Sequence, residues 1–329
     1  MTPYSLIALL FSFLFTLYII PKWIFRAKKA NLLGIDVHKT DNRKVAEVGG
    51  LPVIAGFIGG LLIYIAFRVF VYQEEIYIST IFAVAVSILI ATIIGMVDDI
   101  LGWKIGLRQF QKAFLTFSIA IPIMVINAGD FAMNIPFFGL IDFGLFFPIL
   151  LIPLAIMFTA NAFNMVGGFN GLEAGMGIII LSTLSYICYV NGFFWVAIMG
   201  VLMVGALFAF LIYNWFPSKI FPGDTLTYSV GALFGIMAIL GNVEKFAIIL
   251  FSLYILQFFL KLRGKMQKES FILINKDGSL KKPKIYGIEH IAFYIVNMFK
   301  KNVYEKDIVY VLLSVQLVIV LMTLLYFFI

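Results

Sequence analysis

Three asparagines, four glycines and one glutamate crowd the stretch Asn161-Ala-Phe-Asn164-Met-Val-Gly167-Gly168-Phe-Asn170-Gly171-Leu-Glu173-Ala-Gly175, which lies between two long apolar runs. Asparagine offers a donor and an acceptor, which suits a nucleobase edge or a metal. Glycine lets backbone approach a ligand closely. The stretch reads as a binding loop. Four further polar groups resist a bland explanation: Asp36-Val37-His38-Lys39 with Glu47; Asp98-Asp99 followed by Lys104 and Arg108; Asn214-Trp215 through Lys219, Phe221, Gly223, Asp224 and Thr225; and Lys261, Arg263, Lys265 and Lys268. Carboxylates and amides suit a hard cation such as Mg²⁺, which takes oxygen ligands and keeps substrate phosphates in its shell. Arginine and lysine suit phosphates. Gathered at one place, these groups describe a metal-assisted phosphoryl transfer, in which the protein positions the reactants and neutralises charge.

Each group taken singly has a plainer reading. Asp98-Asp99 can mark a helix end in the headgroup region, although adjacent carboxylates are costly near lipid. Gly223-Asp224-Thr225 can be a turn and helix cap. The glycines of the asparagine loop can serve close helix packing, which leaves its asparagines unexplained. The basic residues after position 260 can simply set membrane topology.

The elements that must position these groups are membrane helices. Of 329 residues, 63% are hydrophobic and 12% charged, against about 25% charged in a soluble domain. The mean hydropathy is +1.05. About 20 apolar residues cross a bilayer. Ten stretches qualify: 4–21, 51–71, 76–97, 111–128, 143–160, 174–190, 193–213, 225–241, 245–262 and 307–329. The expected fold is thus all-α and polytopic, one integral-membrane domain over 1–329. No small-residue cleavage site follows the first apolar run, so it reads as a retained span.

Charge orients the spans. Twenty-two of the 24 Lys+Arg fall in the loops after odd-numbered spans, and the other side keeps only Arg68 and Lys245. Positive loops stay cytoplasmic, so both termini face outward and all five polar groups open to the cytoplasm as one composite site. Glu74, Glu75, Asp130, Asp142 and Glu244 then face outward and are expected to be solvated. The basic residues flank spans and do not interleave with aromatics, which argues against a nucleic-acid partner. The longest loop, 263–306, carries an Asp277-Gly278 hairpin signal. It also has a helical apolar stripe (Ile288, Ile291, Ala292, Ile295, Val296, Phe299) that predicts an interfacial helix on the inner leaflet. The lone Cys188 excludes a disulfide framework. The two histidines, His38 and His290, have no helical His partner, which argues against zinc.

Asp98-Asp99, the Asn-x-x-Asn-x-x-Gly-Gly-x-Asn-Gly-Leu loop and Phe221-x-Gly-Asp-Thr together resemble the polyprenyl-phosphate N-acetylhexosamine-1-phosphate transferases, membrane enzymes that begin glycan assembly on a lipid carrier. Bacterial members carry aspartates at the positions of Gly167 and Asn170. This chain instead is similar to the eukaryotic and archaeal branch that makes dolichyl-diphospho-GlcNAc, which shares Asn-Gly-Leu-Glu-Ala-Gly, Asn-Trp-x-Pro-Ser and the Asp36, Lys39, Glu47 spacing. The resemblance covers about residues 36–280. It implies Mg²⁺, with Mn²⁺ as a substitute, and UDP-GlcNAc and a polyprenyl or dolichyl phosphate as substrates. The compact chain, with no long outward loop, leads us to expect a prokaryotic, archaeal cell membrane, and a homodimer is allowed. By position the resemblance implies that Asn164 and Asp224 hold the metal and diphosphate. Val37, Gly168, Asn170 and Phe221 fall at the uridine pocket, with Phe221 stacked on uracil. Asp98 and Asp99 fall near the reacting phosphates, with Lys39, Glu47 and Arg108 binding phosphate or carrier. Arg263, Lys265 and Lys268 stand where that branch has an Arg-His-Arg segment contacting sugar and diphosphate; the histidine is missing here.

The implied reaction is attack of the carrier phosphate on the β-phosphorus of the UDP-sugar, with UMP leaving. Asp98 or Asp99 takes a residual proton or orients the nucleophile in a direct route, and a two-step route through an aspartyl intermediate is the alternative. Another UDP-N-acetylhexosamine is the alternative donor. A secondary transporter is the competing class, but transporters bind at the midplane between repeats, and here the motifs sit at span ends and no repeat is visible.

Overall fold

In lipid the backbone has no water to bond, so apolar runs must close their hydrogen bonds internally as helices. A computed structural model describes residues 3–105, 109–127, 132–135 and 139–329. The chain begins with α1 (Pro3–Lys29), followed by a ribbon of β1 (Leu33–Ile35) and β2 (Lys44–Ala46). α2 (Gly50–Ala66) continues through a π turn to Val71, and α3 (Ile78–Ile105) kinks at Gly102, whose φ is +68°. Short helices α4 (Gln109–Phe117) and α5 (Ile121–Val125) follow, then a ribbon of β3 (Ala132–Ile135) and β4 (Gly139–Asp142). After them come α6 (Ile152–Met165), α7 (Leu172–Val190), α8 (Phe194–Asn214) and α9 (Gly223–Leu240). The chain then runs through α10 (Glu244–Leu250), α11 (Ser252–Arg263), α12 (Ile288–Asn297) and α13 (Glu305–Phe328).

Among the described residues, eight helices are long and apolar enough to cross a membrane, and α10 with α11, bent by 60°, makes a ninth. The expected span over 111–128 is not one long helix. It breaks at a 3₁₀ turn over Ser118–Ala120, and Pro122 opens α5. Proline lacks the N–H that a continuous helix needs there. The fold is mostly helical, with two short ribbons added.

α9 is the centre of the molecule. It is buried along nearly all its length and packs on α2, α3, α6, α7 and α8. Glycines permit the close crossings: a Cβ on Gly95 of α3 would meet the backbone of Asp224 and Thr225, and one on Gly231 would meet the backbone of Thr159 and Ala160 in α6. Small residues at such crossings let membrane helices approach by van der Waals contact. The site residues at the first turn of α9 are thereby fixed against α3 and α6.

Packing adds to one expectation and changes another. The inner part of the α12 stripe packs in the protein: Ile288, Ala292 and the neighbouring Phe293 are buried, with α12 against α11 and α13. Ile295 of the stripe is exposed, as are Met298 and Phe299 just past the helix. Glu244, expected in solvent, is buried at the start of α10. The expected hairpin is present as a bridge between Ile274 and Leu280, with Gly278 at φ +79° in its turn. Asp130 lies outside the described residues.

Candidate active site

The first turn of α9 is held from outside. Backbone N–H groups at a helix start have no partner within the helix. Here Asp99 Oδ1 accepts the N–H of Asp224 (2.7 Å), and Asp99 Oδ2 accepts the N–H (3.1 Å) and hydroxyl (2.6 Å) of Thr225. An aspartate on α3 thus caps a helix more than a hundred residues away, and its charge meets the positive end of the helix dipole. Gly223, at φ +70°, passes directly beneath that carboxylate; a Cβ there would strike it.

Asp224 is the hub of the site. Its Oδ1 accepts Asn164 Nδ2 (2.7 Å), which also donates to Thr227 Oγ1 (2.8 Å). Its Oδ2 accepts Lys112 Nζ (3.0 Å), and the same ammonium binds Asp98 Oδ2 (2.5 Å). The two adjacent aspartates therefore divide: Asp99 is spent on the helix, and Asp98 faces the open polar group with Asp224, Asn164 and Lys112. Lys112 was not among the residues singled out from the sequence. Its signal was its place on the short helix that follows Asp98-Asp99. Arg108, expected to hold phosphate, lies outside the described residues.

A second cluster forms around the asparagine–glycine loop. Asn170 gives its backbone N–H to Glu305 Oε1 (2.8 Å) and its side-chain Nδ2 to Asp36 Oδ2 (3.0 Å). Lys39 pairs with Asp36 (3.3 Å) and with Glu305, and lies over the ring of Phe216. His38 stacks on Phe169 with ring centroids 4.4 Å apart, and burial lowers its pKa to about 4. Ligand atoms of Asp36, His38 and Glu305 lie within 4.8 Å of one another. This is a metal-capable trio that helical His spacing did not signal, although Lys39 already supplies a cation to both carboxylates. Glu305, the acid that opens α13, was also missed.

The turn at Gly167-Gly168 is clamped by two further buried acids. Glu173 accepts the Gly168 N–H (2.8 Å) and Glu289 the Gly167 N–H (3.3 Å). Gln257 of α11 donates to the Met165 carbonyl (2.7 Å) and to Glu289. Burial pushes Glu289 up to about 7. Gly168 has φ +87°, and a Cβ there would run into the ring of Phe271. A glycine is required at this position on both counts.

The remaining expected residues separate into those joined to this assembly and those apart from it. Phe221 is stitched to the first loop: its N–H donates to the Ala46 carbonyl (2.8 Å) and its carbonyl accepts the Gly49 N–H (2.9 Å). Its ring and the Glu47 carboxyl both sit over Gly34, and burial raises the Glu47 pKa. Val37 is exposed on the loop between Asp36 and His38. Arg263, Lys265 and Lys268 are exposed, and among the described residues no hydrogen bond or ion pair ties their side chains to the Asp224 group. The buried base of that segment is Lys261, whose Nζ binds the Lys268 carbonyl (2.9 Å).

Comparison with known proteins agrees with this chemistry. The sequence signature of glycosyl transferase family 4 matches residues 81–242. The chain is 38% identical over 293 residues to a Saccharolobus solfataricus protein with the provisional name UDP-N-acetylglucosamine–dolichyl-phosphate N-acetylglucosaminephosphotransferase, covering 87% of each chain. It is 30% identical over 283 residues to the Dictyostelium discoideum protein of that name, covering 74% of this chain and 68% of the relative. It is also 30% identical over 295 residues to a phospho-N-acetylmuramoyl-pentapeptide-transferase of Clostridium beijerinckii, covering 87% of this chain and 88% of the relative.

Proposed function

The chain belongs to glycosyl transferase family 4, and from that premise we propose that it transfers N-acetylglucosamine 1-phosphate from UDP-N-acetylglucosamine to a dolichyl-type polyprenyl phosphate, releasing UMP. The observation that carries the reading is the convergence at Asp224. Asn164 binds it directly, Lys112 joins it to Asp98, and Asp99 fixes the turn on which it stands. Residues from three polar sequence motifs meet at one carboxylate, as a diphosphate-handling site requires.

The donor set fits Mg²⁺. Asp98 and Asp224 present carboxylate oxygens close enough to share one ammonium, and carboxylate oxygen is what this ion takes. Asp224 and Asp98 would hold it, with the Asn164 carbonyl oxygen available once its amide nitrogen is satisfied by Thr227. Bound there, the metal supplies neutralisation of the charge that builds on the diphosphate.

The chain's own groups do the rest. Lys112 is placed to exchange one carboxylate for a phosphate oxygen when substrate enters. Asp98 then orients the carrier phosphate or takes its residual proton. An oxygen of that phosphate forms a bond to the β-phosphorus while the bond from that phosphorus to the bridging oxygen breaks, and the pair leaves with UMP. No strong base is needed, because the carrier phosphate is largely anionic at neutral pH. Asn170, Gly168 and Phe221 are assigned to the uridine end, and Lys39 and Glu47 to the phosphate and carrier side. The site is assigned to the cytoplasmic face by the distribution of Lys and Arg.

The second reading keeps the chemistry and changes the sugar, since relatives that transfer phospho-N-acetylmuramoyl-pentapeptide match as much of the chain. The test is UMP release by the purified protein with a polyprenyl phosphate and Mg²⁺, comparing UDP-GlcNAc, UDP-GalNAc and UDP-MurNAc-pentapeptide. Turnover with UDP-GlcNAc that vanishes without the carrier or with EDTA is expected. Turnover only with the pentapeptide donor would move the assignment to the second reading.

A further inference from the structure

Asn170 is held in one orientation by a residue that has no freedom to change its own role. Asp36 is buried and accepts three donors: the His38 backbone N–H at Oδ1 (3.2 Å), and Asn170 Nδ2 (3.0 Å) and Lys39 Nζ (3.3 Å) at Oδ2. With an N–H, an amide and an ammonium all aimed at it, the carboxylate serves all three as acceptor. The nitrogen end of the Asn170 amide must therefore face Asp36, and the oxygen end must point away. The backbone of Asn170 is fixed too, through its N–H to Glu305. Oδ1 of Asn170 takes no hydrogen bond from a described residue. The residue lines a cleft with Trp215, Phe216 and Tyr310.

We propose that Asp36 sets the base specificity of the donor nucleotide. By holding the amide nitrogen of Asn170 it leaves a carbonyl oxygen facing the base, an acceptor that matches the N3–H of uracil and opposes the N3 lone pair of cytosine. Asp36 is a positioning residue in this scheme and does not touch the base. The inference rests on the uridine-nucleotide reading of the donor given above. A matched hydrogen bond against an opposed acceptor is worth about tenfold to a hundredfold in affinity, about 1.4–2.7 kcal/mol.

The test measures the dissociation constants of UMP and CMP for the detergent-purified protein by calorimetry, with thermal melting of every variant. The wild type is expected to bind UMP at least tenfold tighter than CMP. In Asp36→Asn, residue 36 can donate as well as accept, so the Asn170 amide is free to turn over, and the UMP-to-CMP ratio should fall to within about threefold. The interchange Asp36→Asn with Asn170→Asp rebuilds the same contact with donor and acceptor reversed and again leaves an acceptor oxygen toward the base. Selectivity should return with it. Because the interchange recovers packing and charge, it decides the matter even where Asp36→Asn melts early. A wild-type ratio retained in a well-folded Asp36→Asn protein, or selectivity that stays lost in a folded interchange variant, overturns the role of Asp36 alone. No binding of UMP by the wild type overturns the uridine reading and this inference together.

Discussion

At the scale of the residue, two adjacent aspartates carry different duties. Asp99 binds two backbone N–H groups and a hydroxyl of the α9 start, whereas Asp98 shares the Lys112 ammonium with Asp224. Asp99→Asn puts an amide nitrogen against donors that need an acceptor. An unmet buried donor costs about 1–3 kcal/mol, so this variant should melt several degrees lower and lose activity. Asp98→Asn should lose activity with an unchanged melting temperature. Equal melting temperatures for the two would remove the capping role of Asp99. Asp224→Asn is expected to insert and purify normally and to turn over about a thousandfold more slowly, the scale on which loss of a charge at a metal–diphosphate site acts. Near-normal turnover in that variant would place the metal elsewhere.

At the scale of the element, the site depends on how closely α3 and α9 cross. Gly95 lies against the Asp224–Thr225 backbone with no room for a methyl group. Gly95→Ala should force the helices apart, separate Asp99 from the α9 start and lower both the melting temperature and kcat. A control such as Gly192→Ala, where a Cβ meets nothing, isolates the crossing from backbone strain in general; the Gly192 variant should keep its activity. The clamp on the Gly167-Gly168 turn makes a pH prediction. Burial raises Glu289 to about 7 from an ordinary value of 4.5. The folded state therefore binds the proton more tightly than the unfolded chain. Its contribution to stability is full below pH 4.5 and is lost as pH rises toward 7. Between pH 5 and 8 the wild-type melting temperature should fall more steeply than that of Glu289→Gln, which carries no titrating group there. Parallel melting curves for the two proteins would contradict the raised value.

At the scale of the whole molecule, hydrogen bonds join loops that must share one side of the membrane. The first loop meets the asparagine loop through Asp36 and Asn170 and meets the 215–222 loop through Gly49 and Phe221; α13 joins them through Glu305. By the spans read from the sequence, 22 of the 24 Lys+Arg lie on that side, and on the positive-inside rule we propose it as the cytoplasmic one. In a Cys188→Ser background, Lys219→Cys and Lys276→Cys should resist an impermeant thiol reagent added to intact cells, and Glu75→Cys on the opposite side should react. Labelling at position 219 from outside would falsify the cytoplasmic assignment of the site.

The sequence alone determined that the chain spans a membrane, since apolar length and charge asymmetry are properties of the chain itself and need no partner. It also determined that Asn164, Asn170 and Asp224 belong to polar span ends, because amides and acids beside lipid require a use. Three-dimensional packing decided the rest. Which of Asp98 and Asp99 caps a helix depends on the crossing at Gly95, and no local pattern encodes that crossing. Lys112 and Glu305 look like ordinary flanking charges until α4 and α13 bring them to Asp224 and Asn170. The α12 stripe has the spacing of a membrane-surface helix, and the elements that cover its buried residues, α11 and α13, are separated from it by loops. The broken 111–128 segment was hydrophobic enough to span, and only the 3₁₀ turn and Pro122 interrupt it. Hydrophobicity is additive along a chain and so can be read from it. The orientation of a single polar side chain depends on distant backbone, and only the folded molecule supplies that.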